Sequence, residues 1–202
     1  MNGPRSQESA LRASEKICEF FVDQGSTDFK VVELAAAAGL TERTFYRYFP
    51  TKQESVRPVL DGGSMILAGT IESRTDLSIR DAIVQGFDDA VGGEFATRTN
   101  GLFSLLFADN GLRPILLQAF HDSERIIRPS LARRLGVRPH SLAAQVAGAS
   151  TLAMIRVSLE ALINEGKEPV GVLRAALVEL SSDPFRGPAR PVSTPLLQGA
   201  TR

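Results

Sequence analysis

An all-α fold is predicted for this 202-residue chain by three features of its sequence. Apolar residues recur three and four positions apart in segment after segment. No stretch alternates polar and apolar residues as a half-buried strand does, and glycines and prolines fall where the periodic segments end. With 43% apolar residues the chain can bury one large core or two small ones.

The elements follow in order. Leu11, Ser14, Ile17, Cys18, Phe21 and Val22 share one side of a first helix that Gly25 ends. A short second helix covers about Phe29 to Ala38, with Val31, Leu34, Ala35 and Ala38 inward and a stop at Gly39. A third runs from Thr41 to Phe49, before Pro50. Thr51 to Glu54 form a capping box that opens a fourth helix. Pro58 inside that helix and Gly62-Gly63 soon after predict a bend, a domain junction and a hinge. Further helices are expected over Ser78 to Val91, Phe95 to Ala108, Pro114 to Arg134 with an interruption at Pro129, Pro139 to Glu165, and Pro169 to Ser181. From Asp183 onward four prolines and two glycines in twenty residues predict a disordered tail, 183–202. The expected organisation is a three-helix head, 1–57, and a larger helical-bundle body, 58–182.

Composition narrows the function. One cysteine and two histidines leave little with which to build a metal site, so neither metal nor cofactor is expected. No uncharged apolar run reaches the eighteen or so residues of a membrane span and the amino terminus does not read as a signal peptide, so the expected location is the cytoplasm, away from membranes. Lys plus Arg and Asp plus Glu are balanced at 23 each, which excludes a uniformly basic coat for nucleic acid. No nucleophile elbow, phosphate loop, zinc motif or dinucleotide fingerprint occurs, and Cys18 has no histidine in the head to activate it. Enzymatic activity is therefore not expected.

The informative stretch is Val31 to Lys52, VVELAAAAGLTERTFYRYFPTK. Two short helices meet at Gly39-Leu40, and the small residues Ala35 to Ala38 let them cross closely, which is helix-turn-helix geometry. Placed in a DNA major groove, the second helix directs Thr41, Glu42, Arg43 and Thr44 at base edges or the nearest phosphates. Ala38-Gly39-Leu40-Thr41, then Thr44-Phe45-Tyr46-Arg47-Tyr48-Phe49, then Pro50-Thr51-Lys52 resemble the signature of the tetracycline-repressor (TetR) family of bacterial transcription regulators. Gln53 stands where that family has glutamate. The resemblance covers Leu11 to Arg57, about a quarter of the chain. It implies a DNA-binding head on a six-helix regulatory body, a homodimer, and a palindromic double-stranded DNA operator from which a small-molecule effector releases the protein.

Chemistry assigns the individual positions. Thr41 caps the helix and can touch phosphate. Arg43 offers a fork that matches guanine, or pairs with Glu42, Glu33 or a phosphate. Thr44 is short enough for a thymine methyl or a phosphate. The phenols of Tyr46 and Tyr48 can reach phosphates, Tyr48 alternatively only packing, and Arg47 completes the set by its place in the motif. Phe45 and Phe49 read as core. Lys52 would add an ammonium at a helix start. Where the family places a threonine cap at the second helix, this chain has Phe29-Lys30, so Thr27, Asp28 or Lys30 must stand in, and Lys30 is the expected contact. Residues 1–57 carry eight cations and eight anions, whereas 40–57 carry four against two, a small positive face.

In the body, Ser141 to Ile155 is free of charge, and Ala144, Ala147, Gly148 and Ser150 permit close helix approach. By resemblance the last two long helices form the dimer interface; an intramolecular core is the alternative. A buried stripe is expected at Val172, Leu173, Ala176, Leu177 and Leu180. The middle helices carry Phe87, Phe95, Phe103, Phe107, Phe120, His121 and Met154, of which Phe103, Phe107, Phe120, His121 and Met154 are the expected pocket for an apolar or aromatic ligand. Two other readings remain: a TetR-like regulator without inducer, and a helical small-molecule-binding protein without operator function.

Overall fold

The computed structural model describes residues 4–92 and 96–181; Phe95 and the expected tail lie outside them. Nine α-helices and one 3₁₀ turn occur among the described residues: α1 (Pro4–Gln24), α2 (Val31–Ala37), α3 (Glu42–Tyr48), the 3₁₀ turn Gln53–Val56, α4 (Arg57–Ser73), α5 (Ile79–Val91), α6 (Ala96–Ala108), α7 (Leu112–Leu135), α8 (Leu142–Glu165) and α9 (Pro169–Ser181). No strand is present among them.

The head forms around α1, whose Ile17 and Phe21 are fully buried against Leu34 of α2 and Phe45 of α3. Phe45 meets Phe49 edge-on, with ring centroids 5.1 Å apart. At Gly39 the backbone takes φ +70, and the amides of Gly39 and Leu40 close onto the carbonyls of Ala36 and Ala35. A side chain there would be strained, which is why glycine ends α2 and α3 can start three residues later. Thr41 caps α3 by accepting the Thr44 amide at 3.2 Å.

The fourth helix departs from expectation. Thr51 accepts the Glu54 amide at 3.2 Å, but the turn it opens is 3₁₀, and α4 begins only at Arg57. Pro58 therefore lies in the first turn, where its missing amide hydrogen costs nothing, and α4 runs unbroken through Gly62 and Gly63. No break interrupts the helix at these residues. Likewise α7 continues through Pro129. Pro129 costs about 3 kcal/mol in a helix interior, and burial of Ile127, Leu131 and Ala132 around it opposes that cost. Before α8 the residues from Pro139 to His140 lie outside the helix, because Ser141 provides the cap through the Ala144 amide.

In the body α4 packs between α5 and α7, α7 packs on α8, and α8 on α9. Polar contacts run the length of the α4–α7 seam. Arg57 donates to Asp61 at 2.7 Å and to Asp122 of α7 at 2.6 Å. The hydroxyls of Ser64 and Ser123 are 2.6 Å apart, and Glu72 accepts from Ser130 and Arg133. The guanidinium of Arg134 donates to the carbonyls of Ile71, Arg74 and Leu77 at 2.6 to 2.9 Å, closing the carboxyl end of α4 and the turn behind it. The Arg57 bond, with a second from Gln118, holds the Asp122 carboxyl below the usual carboxylate range.

By length and mean hydropathy (1.5), α8 could cross a membrane, which the sequence reading excluded. In the fold it buries Ala144, Gly148, Thr151, Leu152, Ile155, Ser158 and Leu159. A Cβ on Gly148 would stand 3.0 Å from Glu124 Cγ, so α7 and α8 do approach closely there. On α9, Leu173 and Leu177 are buried and Val172 and Ala176 half-buried, but Leu180 is exposed, because the helix outruns its support.

Helices α4 and α5 approach closely at Gly86, where a Cβ would lie 2.9 Å from Leu67 Cδ1 and 3.1 Å from Leu67 O. Gly86→Ala is expected to lower unfolding stability by about 1–3 kcal/mol. Gly62→Ala and Gly63→Ala meet nothing closer than 3.7 Å and should each raise it by about 0.5–1 kcal/mol. Urea unfolding at fixed protein concentration distinguishes the two signs.

Candidate nucleic-acid interface and effector cavity

Burial of Phe45 and Phe49 on one side of α3 turns its other side outward. Glu42, Arg43, Tyr46 and Arg47 are exposed, Tyr46 to 53%. Thr44 is half-buried, and its hydroxyl accepts from Thr41 at 3.0 Å. Arg43 forms no ion pair among the described residues, so the pairing with Glu42 or Glu33 weighed from sequence is absent. Arg47 lies over the Tyr48 ring at 5.2 Å, and Tyr48 is half-buried beside Phe49, the packing alternative for that tyrosine.

At the start of α2, Lys30 is exposed while its backbone amide donates to Glu33 at 2.7 Å. Thr27 is unavailable as a substitute cap, since it is buried and its hydroxyl donates to Asp109 at 2.5 Å. Lys52 differs most from expectation. It precedes a 3₁₀ turn instead of an α-helix, and its ammonium donates to the carbonyls of Thr27 and Phe29 at 3.3 and 3.0 Å. Arg57 is also held inward, by Asp61 and Asp122. Two of the four cations counted between 40 and 57 thus hold the head together, and Arg43 and Arg47 remain on its face. One cation went unnoticed in sequence: exposed Lys16 of α1 lies beside the turn, its Nζ 4.0 Å from where a Gly39 Cβ would be. Only the crossing of α1 over the turn reveals it.

Behind this face Asp109, at the corner between α6 and α7, joins head to body. Besides the Thr27 hydroxyl it accepts the amides of Gly111 and Leu112 at 2.7 and 2.9 Å. Burial pushes its carboxyl upward, but the Thr27 bond, those two amides and the nearby Lys52 charge outweigh it, and the net shift is downward.

The body holds a partly open cavity of about 120 Å³ between α4, α5, α6, α7 and α8. Phe103 and Phe120 of the expected pocket line it, as do Phe87, Ser64 and Ser123. Phe107 and Met154 line neither this cavity nor the next; both are half-buried and pack on the core. His121 faces a second, more open cavity between α7 and α8 with Leu117, Phe120, Glu124 and Arg156. The sequence set therefore splits: Phe120 borders both spaces, Phe103 only the first and His121 only the second. The α4 residues Val59, Leu60, Gly63, Ser64 and Leu67 of the first cavity were not anticipated, since the expected bend would have turned α4 away.

Residues 15–56 match the family described as bacterial regulatory proteins, tetR family. No curated protein matches the chain in sequence. Among solved structures, a TetR-family transcriptional regulator from Mesorhizobium loti MAFF303099 is 16% identical, with 89% of this chain and 96% of that one covered at a TM-score of 0.55. A tetR-family regulator from Streptomyces coelicolor is 13% identical, covering 90% and 81% at 0.57. Thermus thermophilus FadR, a TetR-family transcriptional repressor in complex with lauroyl-CoA, is 22% identical, covering 94% and 98% at 0.57. Residues 15–56 are thus similar to the helix-turn-helix domain of bacterial tetR-family regulatory proteins, and the chain shares the fold of these solved regulators.

Proposed function

We propose that the chain is a homodimeric repressor that binds a palindromic operator through residues 1–57 and is released when a small apolar or aromatic molecule enters the body, residues 58–182. The observation that carries this reading is the outward face of α3, where Arg43, Tyr46 and Arg47 stand exposed over the buried Phe45 and Phe49. Arg43 is assigned to base edges and Lys30, Thr41, Thr44, Tyr46 and Arg47 to phosphates or bases, with Glu42 at the rim and Lys16 added. Lys52 and Tyr48 act by holding the head's shape.

Dimerisation is argued from α8 and α9, whose outer faces carry Leu142, Val146, Val157 and Val178 at 45 to 76% exposure. A second copy would cover them and set the two α3 helices about 34 Å apart, one turn of DNA. Release is argued from α4, because an occupant of the cavity touches α4 directly, and α4 is continuous up to the 3₁₀ turn of the head. Moving α4 as a rigid element then replaces the hinge at Pro58 and Gly62-Gly63. FadR's lauroyl-CoA complex supports effector binding in this fold.

With about three phosphates neutralised per protomer, fluorescence anisotropy on DNA from around the coding region should show a log–log salt slope of about −5. A scrambled duplex should bind at least about a hundredfold more weakly. Arg43→Ala is expected to cost about 1–3 kcal/mol on the operator and to relax sequence preference, whereas Lys30→Ala should weaken all sequences alike. Binding no better than to the scrambled duplex would refute the operator reading. Replacing Val146 and Val157 together by glutamate should yield monomers in sedimentation and lose operator affinity, while helical content persists.

Asp109→Ala should lower stability by about 1–2 kcal/mol at pH 7, a charge-assisted bond discounted for partial exposure. Because the carboxyl is depressed in the folded state, its contribution is present above an unfolded value of about 3.9 and is lost as pH falls through the lower folded value. The difference from the parent chain in urea unfolding should accordingly shrink below about pH 4.

A further inference from the structure

Resting on the cavity as effector site, we infer that its ligand is a small uncharged alcohol or phenol, one ring or short chain of about six to ten non-hydrogen atoms, whose hydroxyl bonds to Ser64 beside Ser123. Three observations converge. The first is size. At about 120 Å³ the space compares with engineered apolar cavities that take up a benzene-sized molecule.

The second is charge. Every residue lining the cavity is apolar or carries at most a hydroxyl, and none is ionisable. Arg57 and Asp122, on the same seam, are bonded to each other at 2.6 Å. A carboxylate or ammonium in this space would lose its hydration with no countercharge to replace it, which disfavours its entry.

The third is the direction of the hydrogen bonds. Ser123 is 2% exposed, and its hydroxyl lies 2.6 Å from the Ala119 carbonyl, to which it donates. Its oxygen then receives the Ser64 hydroxyl at 2.6 Å, the shorter of that hydroxyl's two contacts, the other being the Leu60 carbonyl one turn back at 3.3 Å. With both hydrogens committed, the Ser64 oxygen keeps lone pairs open toward the cavity that both residues line. A ligand hydroxyl donates to that oxygen without breaking either bond, whereas a ligand carbonyl gains a partner only if Ser64 leaves Ser123. A hydrocarbon satisfies nothing there. Gly63 shapes the same wall, where a Cβ would meet only Ala90 Cβ at 3.9 Å, so the floor of the cavity is left open by the missing side chain.

Four probes of one shape separate these terms: benzyl alcohol, toluene, benzoate and benzylamine, titrated at pH 7.5 into the full chain by ligand-observed NMR and by the rise in unfolding temperature. Benzyl alcohol should bind about threefold to tenfold more tightly than toluene, and benzoate and benzylamine at least about tenfold more weakly than the alcohol. Ser64→Ala should erase the alcohol–toluene gap while toluene affinity holds. Gly63→Leu, which fills the space, should abolish binding of all four with helical content unchanged, and it tests the location even if the serine variant unfolds. Equal binding of either ion, or a gap that survives Ser64→Ala, overturns the inference. Adding the operator separates it from the reading on which it rests. Alcohol binding with unchanged operator affinity refutes effector release and leaves the ligand class standing. Release by the ions alone refutes the ligand class and leaves effector release standing.

Discussion

The clamping of α4 between α5 and α7 is the constraint on which the rest of the structure depends. At one end Arg57 spans from α4 to Asp122, and at the other Arg134 gathers the carbonyls of Ile71, Arg74 and Leu77. Between them Ser64 meets Ser123, and Gly86 lets α5 come so close that no Cβ fits. A helix fixed at both ends and packed along its sides moves as a unit. It also forms a wall of the cavity and leads directly into the head, so three otherwise separate features share one element.

The head applies the same principle on a smaller scale. Seven residues of α3 gain little as an isolated helix, and their conformation comes from packing Phe45 and Phe49 on α1 and α2, with Thr41 closing the amino end. Because the aromatic side faces inward, the polar side must face out. Lys52 is used to tie the loop before α2, and Asp109 holds that same loop from the body through Thr27. A modest positive face results, suited to recognition by fit more than by bulk charge.

Most of the fold was legible because helix periodicity and end signals are local. Ser78, Gly25, Gly39, Gly136 and Gly166 delimit helices as their chemistry requires, whereas the helix expected from Pro139 starts only after Ser141. The errors arose where local rules meet packing. Pro58 and Pro129 were read as interruptions, yet one falls in a first turn and the other is outweighed by its buried neighbours. Of the interface residues, Arg43, Tyr46 and Arg47 could be placed outward from spacing alone. Lys52 and Arg57 could not, because the carbonyls that hold Lys52 and the Asp122 carboxylate that holds Arg57 lie 23 to 65 positions away in the chain.

The sequence by itself determined the helical class, the helix-turn-helix and the residues on its outer face, since all of these follow from periodicity, capping and a motif contained within about twenty residues. Tertiary structure alone decided that Lys52 and Arg57 turn inward, that α4 is continuous, and which aromatic residues line the cavity. The physical reason is that burial and hydrogen-bond partnership are properties of neighbours in space. Phe107 and Met154 differ from Phe103 and Phe120 only in what the packed helices place beside them.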